Sequence, residues 1–283
     1  MQILLALIAC TSKKIPDTAP PEGPEDGSFT VLTYNVHGLP GIITGDSTSS
    51  RIEQIAPRLN AYDFVGLQED FMDDSHEVLE TASHHQTKLR FEDKLEGAGR
   101  YYGSGLAIFA QAALADHLHE HFEDCHGTLD NASDCLASKG FQLARLRLGP
   151  GAEVDVLNTH MEAGGAEEDE AAREGHVEQI ARALESWSQG RALVVMGDTN
   201  LHPGRPTDQL LIDRLVSEAD LEDSCRATGC TETSHIDRIF FRSGDDVLLS
   251  PTSWSREESF VDSDGEDLSD HPAISASFAW SLR

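Results

Sequence analysis

The chain of 283 residues carries 50 acidic against 21 basic side chains, a formal charge of -29, with 39% hydrophobic and 25% charged residues. That length and apolar content support a substantial core in one large domain or two small ones, and the charge excludes long-range attraction to DNA, RNA or an anionic membrane. A neutral or zwitterionic substrate, or one reached through bound cations, is compatible with it.

The first ten residues, "MQILLALIAC", hold an apolar stretch at 3–9 that is too short to span a bilayer. It reads as a signal-peptide core, and Leu7-Ile8-Ala9-Cys10 looks like a bacterial lipobox whose cysteine becomes the lipidated mature N-terminus. No basic side chain precedes the stretch. Residues 11–28 contain four prolines and two glycines without apolar periodicity, the composition of an extended tether. The expected organisation is a signal peptide at 1–10, a tether at 11–28 and one catalytic domain at 29–283. Such a chain would be exported, monomeric, and held by its lipid at the outer membrane or cell envelope, with secretion as the alternative.

The domain opens with "FTVLTYNV", a strand whose polar end falls at Asn35. A helix is expected at 51–62, with Ile52, Ile55, Ala56 and Leu59 on one face. A strand at 64–68 runs up to Glu69, and further strands are expected at 105–109, 141–148 and 153–158. The helix expected at 166–188 spaces Val177, Ile180, Ala181, Leu184 and Trp187 along one side. "ALVVM" is a strand buried on both faces, ended by Gly197. A helix at 207–218 and strands at 236–241 and 273–280 complete the series. Strands alternating with helices give an α/β domain, and strand pairs joined by short turns point to mixed sheets. Besides Cys10, the cysteines fall into close pairs, Cys125 with Cys135 and Cys225 with Cys230, although four cysteines permit three pairings.

Polar groups recur at the strand ends. Asn35 follows "VLTY", Glu69 follows "FVGLQ", Asn158 and His160 follow "VDVL", and Asp198 and Asn200 follow "LVVM". His235 and Asp237 open "RIFF", and Asp270 and His271 precede the final strand. Acids, amides and histidines gathered at strand ends are what a metal-dependent hydrolytic site needs.

The ordered motifs "TYNVHGLP", "LQED", "YGSGLAIF", "NTHMEAG", "GDTN", "HIDRIF" and "SDHPAI" resemble the endonuclease/exonuclease/phosphatase superfamily, which includes DNase I, phosphoinositide phosphatases and neutral sphingomyelinases. The resemblance implies a DNase I-like four-layer α/β/β/α sandwich with its site at one edge of two packed sheets. It implies a single Mg²⁺, with Mn²⁺ as the alternative ion, on Glu69, Asn35 and Asp270; hard oxygen ligands suit that ion. His271 would be the general base, held by Asp237, while Asp198 orients the attacking water or itself takes the proton. Asn200 would donate to a phosphoryl oxygen and His160 would stabilise the charge developing there.

"DCLASKGFQLARL" looks like the sphingomyelinase motif in which an Asp and a Lys, here Asp134 and Lys139, flank the substrate phosphate, with Gly140 allowing close backbone approach. The implied reaction cleaves a sphingomyelin-type phospholipid to ceramide and phosphocholine. A zwitterionic substrate also suits the chain's charge better than a nucleic acid does. Trp254 and Phe260 serve equally as membrane-entry residues or as core. The acidic run "DSDGEDLSD" has Gly265 at the wrong offset for an EF-hand and reads as a solvated loop. The histidines of "DHLHEHF" and "ASHHQ" read as solvated. A DNase-like nuclease or another phosphoesterase of the same superfamily, and a non-catalytic binding lipoprotein, remain as alternative readings.

Overall fold

The computed structural model describes residues 23–283 except 46, 97–98, 128–130 and 233–234. The expected signal peptide and residues 11–22 of the expected tether lie outside the described residues. Strands β1 (Asp26–Asn35), β2 (Phe64–Gln68), β3 (Thr87–Phe91) and β4 (Leu106–Ala110) begin the first sheet. Strands β5 (Ala113–His121), β6 (Gly140–Gly149), β7 (Ala152–His160), β8 (Leu193–Asp198), β9 (Glu222–Asp223) and β10 (Asp237–Arg242) make the second. The chain then returns to the first through β11 (Val247–Arg256) and β12 (Ile274–Leu282). Among the described residues the strand orders are β11-β12-β1-β2-β4-β3 and β5-β6-β7-β8-β10-β9.

The inner faces meet through Phe29, Val31, Phe64, Ile108 and Phe278 on one side and Val154, Val156, Val194, Met196 and Ile239 on the other. In chain order the helices are α1 (Gly41–Thr44), α2 (Thr48–Ile55), α3 (Asp73–Ala82), α4 (Glu167–Trp187), α5 (Pro206–Glu218) and α6 (Ser224–Ala227). Ile52 and Ile55 of α2 and Leu79 of α3 cover the outer face of the first sheet, packing on Leu32, Val65 and Phe109. Val177, Ile180 and Leu184 of α4, with Ile212 and Leu215 of α5, cover the second over Leu157, Val195 and Phe240. The result is the expected α/β/β/α layering. Acids at Glu167, Glu168, Asp169 and Glu170 favour the positive end of the α4 dipole, and Asp169 Oδ2 accepts the Ala166 N–H at 2.8 Å.

Two registers set up the site. The parallel pairing of β7 with β8 puts His160 opposite Asp198, and the antiparallel pairing of β8 with β10 puts Asp198 opposite Asp237. In the first sheet, β1 runs parallel to β2 with Asn35 opposite Gln68, so Glu69 follows directly beside Asn35. Three chemically active side chains thus form a row across one sheet, facing two from the other.

Asn158, one of the polar strand-end residues, has another task. Fully buried, its amide donates to Leu67 O at 2.9 Å and Ala107 O at 3.1 Å and accepts from Gln68 Nε2 at 2.7 Å, bracing the two sheets. A Cβ on Gly66 would meet Asn158 Oδ1 at 2.8 Å, so the glycine leaves room for the brace. Asn158→Ala is expected to lower unfolding stability by roughly 3 kcal/mol because buried partners lose their bonds. A urea midpoint unchanged from that of the parent would contradict this.

Several expectations are corrected. The helix at 51–62 stops at Ile55 and continues as a 3₁₀ turn over Ala56–Ala61, where Pro57 lacks the N–H that an α-helix needs. The histidines expected in solvent are only partly there. His85 is buried between Ser83 Oγ (2.8 Å) and Tyr62 O (2.8 Å), and the rings of His119 and His121 lie 4.3 Å from Phe91. Phe260 is core, packed on Tyr34 at 4.8 Å, and Trp254 packs against the inner core beside His235. The disulfides pair Cys125 with Cys135 and Cys225 with Cys230.

Candidate active site

Asn35 ties the two sheets together at their polar edge. Its Nδ2 donates to Glu69 Oε1 at 2.9 Å and to Asp198 Oδ2 at 3.2 Å, and its Oδ1 accepts the His37 N–H at 3.0 Å. Burial pushes the Glu69 carboxyl up, and Glu69 Oε2 is buried without a hydrogen-bond partner. His37 Nδ1 lies 3.2 Å from Asp270 Oδ1 and 3.9 Å from Glu69 Oε2. Among the described residues four non-glycine residues have positive φ, and three of them, His37 (49°), Glu69 (59°) and Asn200 (51°), stand at this edge. Left-handed backbone at non-glycine residues costs energy and persists where the surroundings over-determine it, commonly at functional sites.

His271 faces Asp237 through Nδ1, 2.9 Å from Oδ2, and its Nε2 lies 3.7 Å from Asp198 Oδ2. Burial opposes a charged imidazole here, but the Asp237 hydrogen bond and the charges of Asp198, Asp237 and Asp270 outweigh it and raise His271 to about 10. Burial, reinforced by the Asp237 charge, raises Asp198 to about 6. The Asn200 N–H donates to Asp198 Oδ1 at 3.0 Å, and Asn200 Nδ2 donates to Met161 O at 3.0 Å.

Lys139 is the buried cation of the site. It pairs with Asp134, donates to Met161 O at 2.9 Å, and stands 3.1 Å from His160 Nε2. Burial disfavours its charge, yet Asp134 and Glu162 hold it above the usual lysine range. The same burial and the ammonium beside it push His160 well below its ordinary value, so the ring is neutral. Asp134 Oδ2 accepts the Ala163 N–H at 2.8 Å, which fixes the pair. Gly140 does permit a close approach, but to the β5 backbone: a Cβ there would meet Glu120 O at 2.1 Å.

A cavity of about 490 Å³ is lined by Glu69, Asp134, Lys139, His160, Asp198, Asn200, Asp270 and His271, together with Leu39, Ile43, Phe71, Tyr102 and Leu136. Asn35 and Asp237 stand behind it through the bonds above, so the ten residues to which the resemblance gives roles converge, whereas the strand-end residues Asn158 and His235 lie elsewhere. Two further groups belong here. His37 lines the cavity; it lies inside "NVHGLP", but its contact with Asp270 depends on a chain reversal that no local pattern reveals. Glu162, inside "THMEAG", is fully buried and accepts the His126 N–H at 2.6 Å, and burial raises it to about 7.

Two mixed sheets flanked by helices, with carboxylates, amides and imidazoles converging at one edge, define the DNase I-like class of fold. The chain belongs to the Endonuclease/Exonuclease/phosphatase family, whose model matches residues 32–271. A sphingomyelinase from Mycobacterium bovis is 30% identical over 266 residues, covering 88% of this chain and 52% of that protein. The chain therefore spans about half the length of the curated relatives it matches. Among solved structures, a mutant beta toxin from Staphylococcus aureus with bound magnesium ions superposes with a TM-score of 0.67 at 15% identity, over 88% of this chain and 99% of that one. TDP2 from D. rerio, complexed with a single strand DNA product, gives 0.67 at 16% identity over 89% and 99%. At these identities the two structures speak to the fold alone.

Proposed function

We propose that the chain is a Mg²⁺-dependent phosphodiesterase that hydrolyses a sphingomyelin-type phospholipid to ceramide and phosphocholine. The observation carrying the choice of substrate is the buried Lys139–Asp134 pair, set against His160 in a cavity with apolar walls. The mycobacterial relatives support the same reading.

The residues present fit a hard cation. Glu69 offers a buried oxygen without a partner, Asp270 faces the same cavity, and Asn35 Oδ1 keeps one lone pair beyond the His37 bond. Bound there, Mg²⁺ or Mn²⁺ would polarise the phosphoryl oxygen and, by its charge, oppose protonation of His271. His271 Nε2 takes the proton from water, while Asp237 holds Nδ1–H and stabilises the imidazolium. Asp198 orients that water from beside Nε2. Lys139, His160 and the Asn200 amide face the phosphoryl group, where their fixed dipoles and charge favour the crowded, more negative transition state.

The test compares sphingomyelin, phosphatidylcholine and supercoiled plasmid as substrates of the purified chain in Mg²⁺. The expected outcome is sphingomyelin cleavage faster than either alternative. Plasmid nicking with intact sphingomyelin would replace this reading with that of a nuclease.

A further inference from the structure

Residues 161–164, which lead from β7 toward α4, hold the site from behind. Met161 O accepts Lys139 Nζ at 2.9 Å and Asn200 Nδ2 at 3.0 Å, while the Ala163 N–H donates to Asp134 Oδ2 at 2.8 Å. One short segment therefore fixes three of the side chains placed around the phosphoryl group, and Ala163 itself lines the cavity.

The side chain that grips this segment lies in none of the sequence motifs. Arg173 of α4 is fully buried, and its Nη1 stands 3.1 Å from Glu162 O, 3.2 Å from Ala163 O and 3.3 Å from Gly164 O. Gly164 has φ 83°, the left-handed turn that brings the third carbonyl round. Arg173 Nε donates to Asp208 Oδ1 at 3.1 Å, and Asp208, buried in the first turn of α5, accepts the His202 N–H through Oδ2 at 3.1 Å. His202 follows Asn200 by two residues. The guanidinium thus ties together the loop after β7 and the loop after β8, both of which end on site residues. A pair so deep is a poor source of stability, because desolvating both charges offsets their attraction. A planar fork with fixed N–H directions is instead suited to holding several carbonyls and a carboxylate in one geometry, which a lysine ammonium is not.

From these contacts we infer that Arg173 is a positioning residue for the phosphoryl-binding set, aligning Lys139, Asp134 and Asn200 through residues 161–164 without touching substrate. The inference rests on the roles given above to Lys139 and Asn200 and adds the side chain that sets their places. Met161 O is the shared acceptor of the ammonium and the amide, so a shift of this carbonyl moves both donors together. A misplacement of about 1 Å in a reacting geometry costs on the order of 10²-fold in rate. Loosening Arg173 therefore acts on turnover through Lys139, at a distance from the reacting atoms.

The experiment is a double-mutant cycle on the full chain in Mg²⁺, comparing the parent, Arg173→Lys, Lys139→Ala and the double variant on sphingomyelin, with rates taken per folded molecule. Arg173→Lys keeps a cation for Asp208 but loses the fork that gathers the carbonyls. Its kcat is expected to fall on the order of tenfold or more, with KM little changed. In the Lys139→Ala background the same substitution should cost a much smaller factor, because the group it aligns is gone. An arginine that only supports the fold would lower both backgrounds by the same factor, and that result, or a parental rate in Arg173→Lys, overturns the inference. Should Arg173→Lys fail to fold, Asp208→Asn goes through the same cycle. It leaves the arginine on its carbonyls and an oxygen for the His202 N–H while removing the anion that fixes Nε, and the same two outcomes decide. Should the parent leave sphingomyelin intact, the substrate reading fails, and the cycle on bis-nitrophenyl phosphate decides the role of Arg173 by itself.

Discussion

His271→Ala is expected to lower phosphodiester hydrolysis by about 10²- to 10⁴-fold, the usual range for losing a positioned proton acceptor. The reason is local. Asp237 holds Nδ1, so Nε2 is turned toward Asp198 and the cavity, where the attacking water is activated in this account. Asp237→Asn should also be strongly impaired, because an amide can present its N–H to Nδ1 and select the wrong tautomer. His271→Ala leaves the buried Asp237 carboxylate without its imidazole partner, so a lowered unfolding midpoint is also expected and rates are compared per folded molecule. Full activity in His271→Ala would move the role of base to Asp198, which burial raises to about 6.

Lys139→Ala is expected to depress sphingomyelin cleavage by roughly 10²- to 10³-fold, by analogy with loss of one fixed donor to a developing oxyanion. The ammonium stands beside His160 within the cavity, where little water competes for the phosphoryl oxygen. Hydrolysis of bis-nitrophenyl phosphate should fall less, because its leaving group departs readily. A second effect accompanies the loss of rate. Removing Lys139 strands Asp134 as a buried carboxylate without its counter-charge, and breaking a buried pair from one side costs about 3–5 kcal/mol. Rates are therefore compared per folded molecule, with the fraction folded read by circular dichroism. Cleavage of sphingomyelin at the parental rate would remove Lys139 from the site.

The parts of the site that can be read along the chain are those where an apolar strand ends on a polar residue. Asn35, Glu69, His160, Asp198 and Asp237 all follow or open such runs, and sheet register then aligns them. Elements without a continuous apolar run escaped. β3 and β5 are edge strands, each paired on one side only, and no residue of β5 is fully buried. β11, also at an edge, carries Pro251 and several serines. In α3 only Ser75 and Leu79 are buried, too few to produce a helical stripe. Asn158 looked like a site residue because its partners, Leu67, Gln68 and Ala107, are distant in sequence. Glu162 was missed for a related reason: its burial is made by His126 and the α4 residues Arg173 and His176 closing over its backbone and carboxylate.

We propose that this edge cleaves the bond between phosphorus and the ceramide oxygen with the aid of a divalent cation. Phosphorus NMR of sphingomyelin in detergent micelles, incubated with the purified chain and Mg²⁺, tests it most directly. The diester resonance is expected to be replaced by that of phosphocholine, and chelator is expected to halt the change. A diester resonance that persists while plasmid is nicked in the same buffer, or phosphocholine formed equally well in chelator, would contradict it.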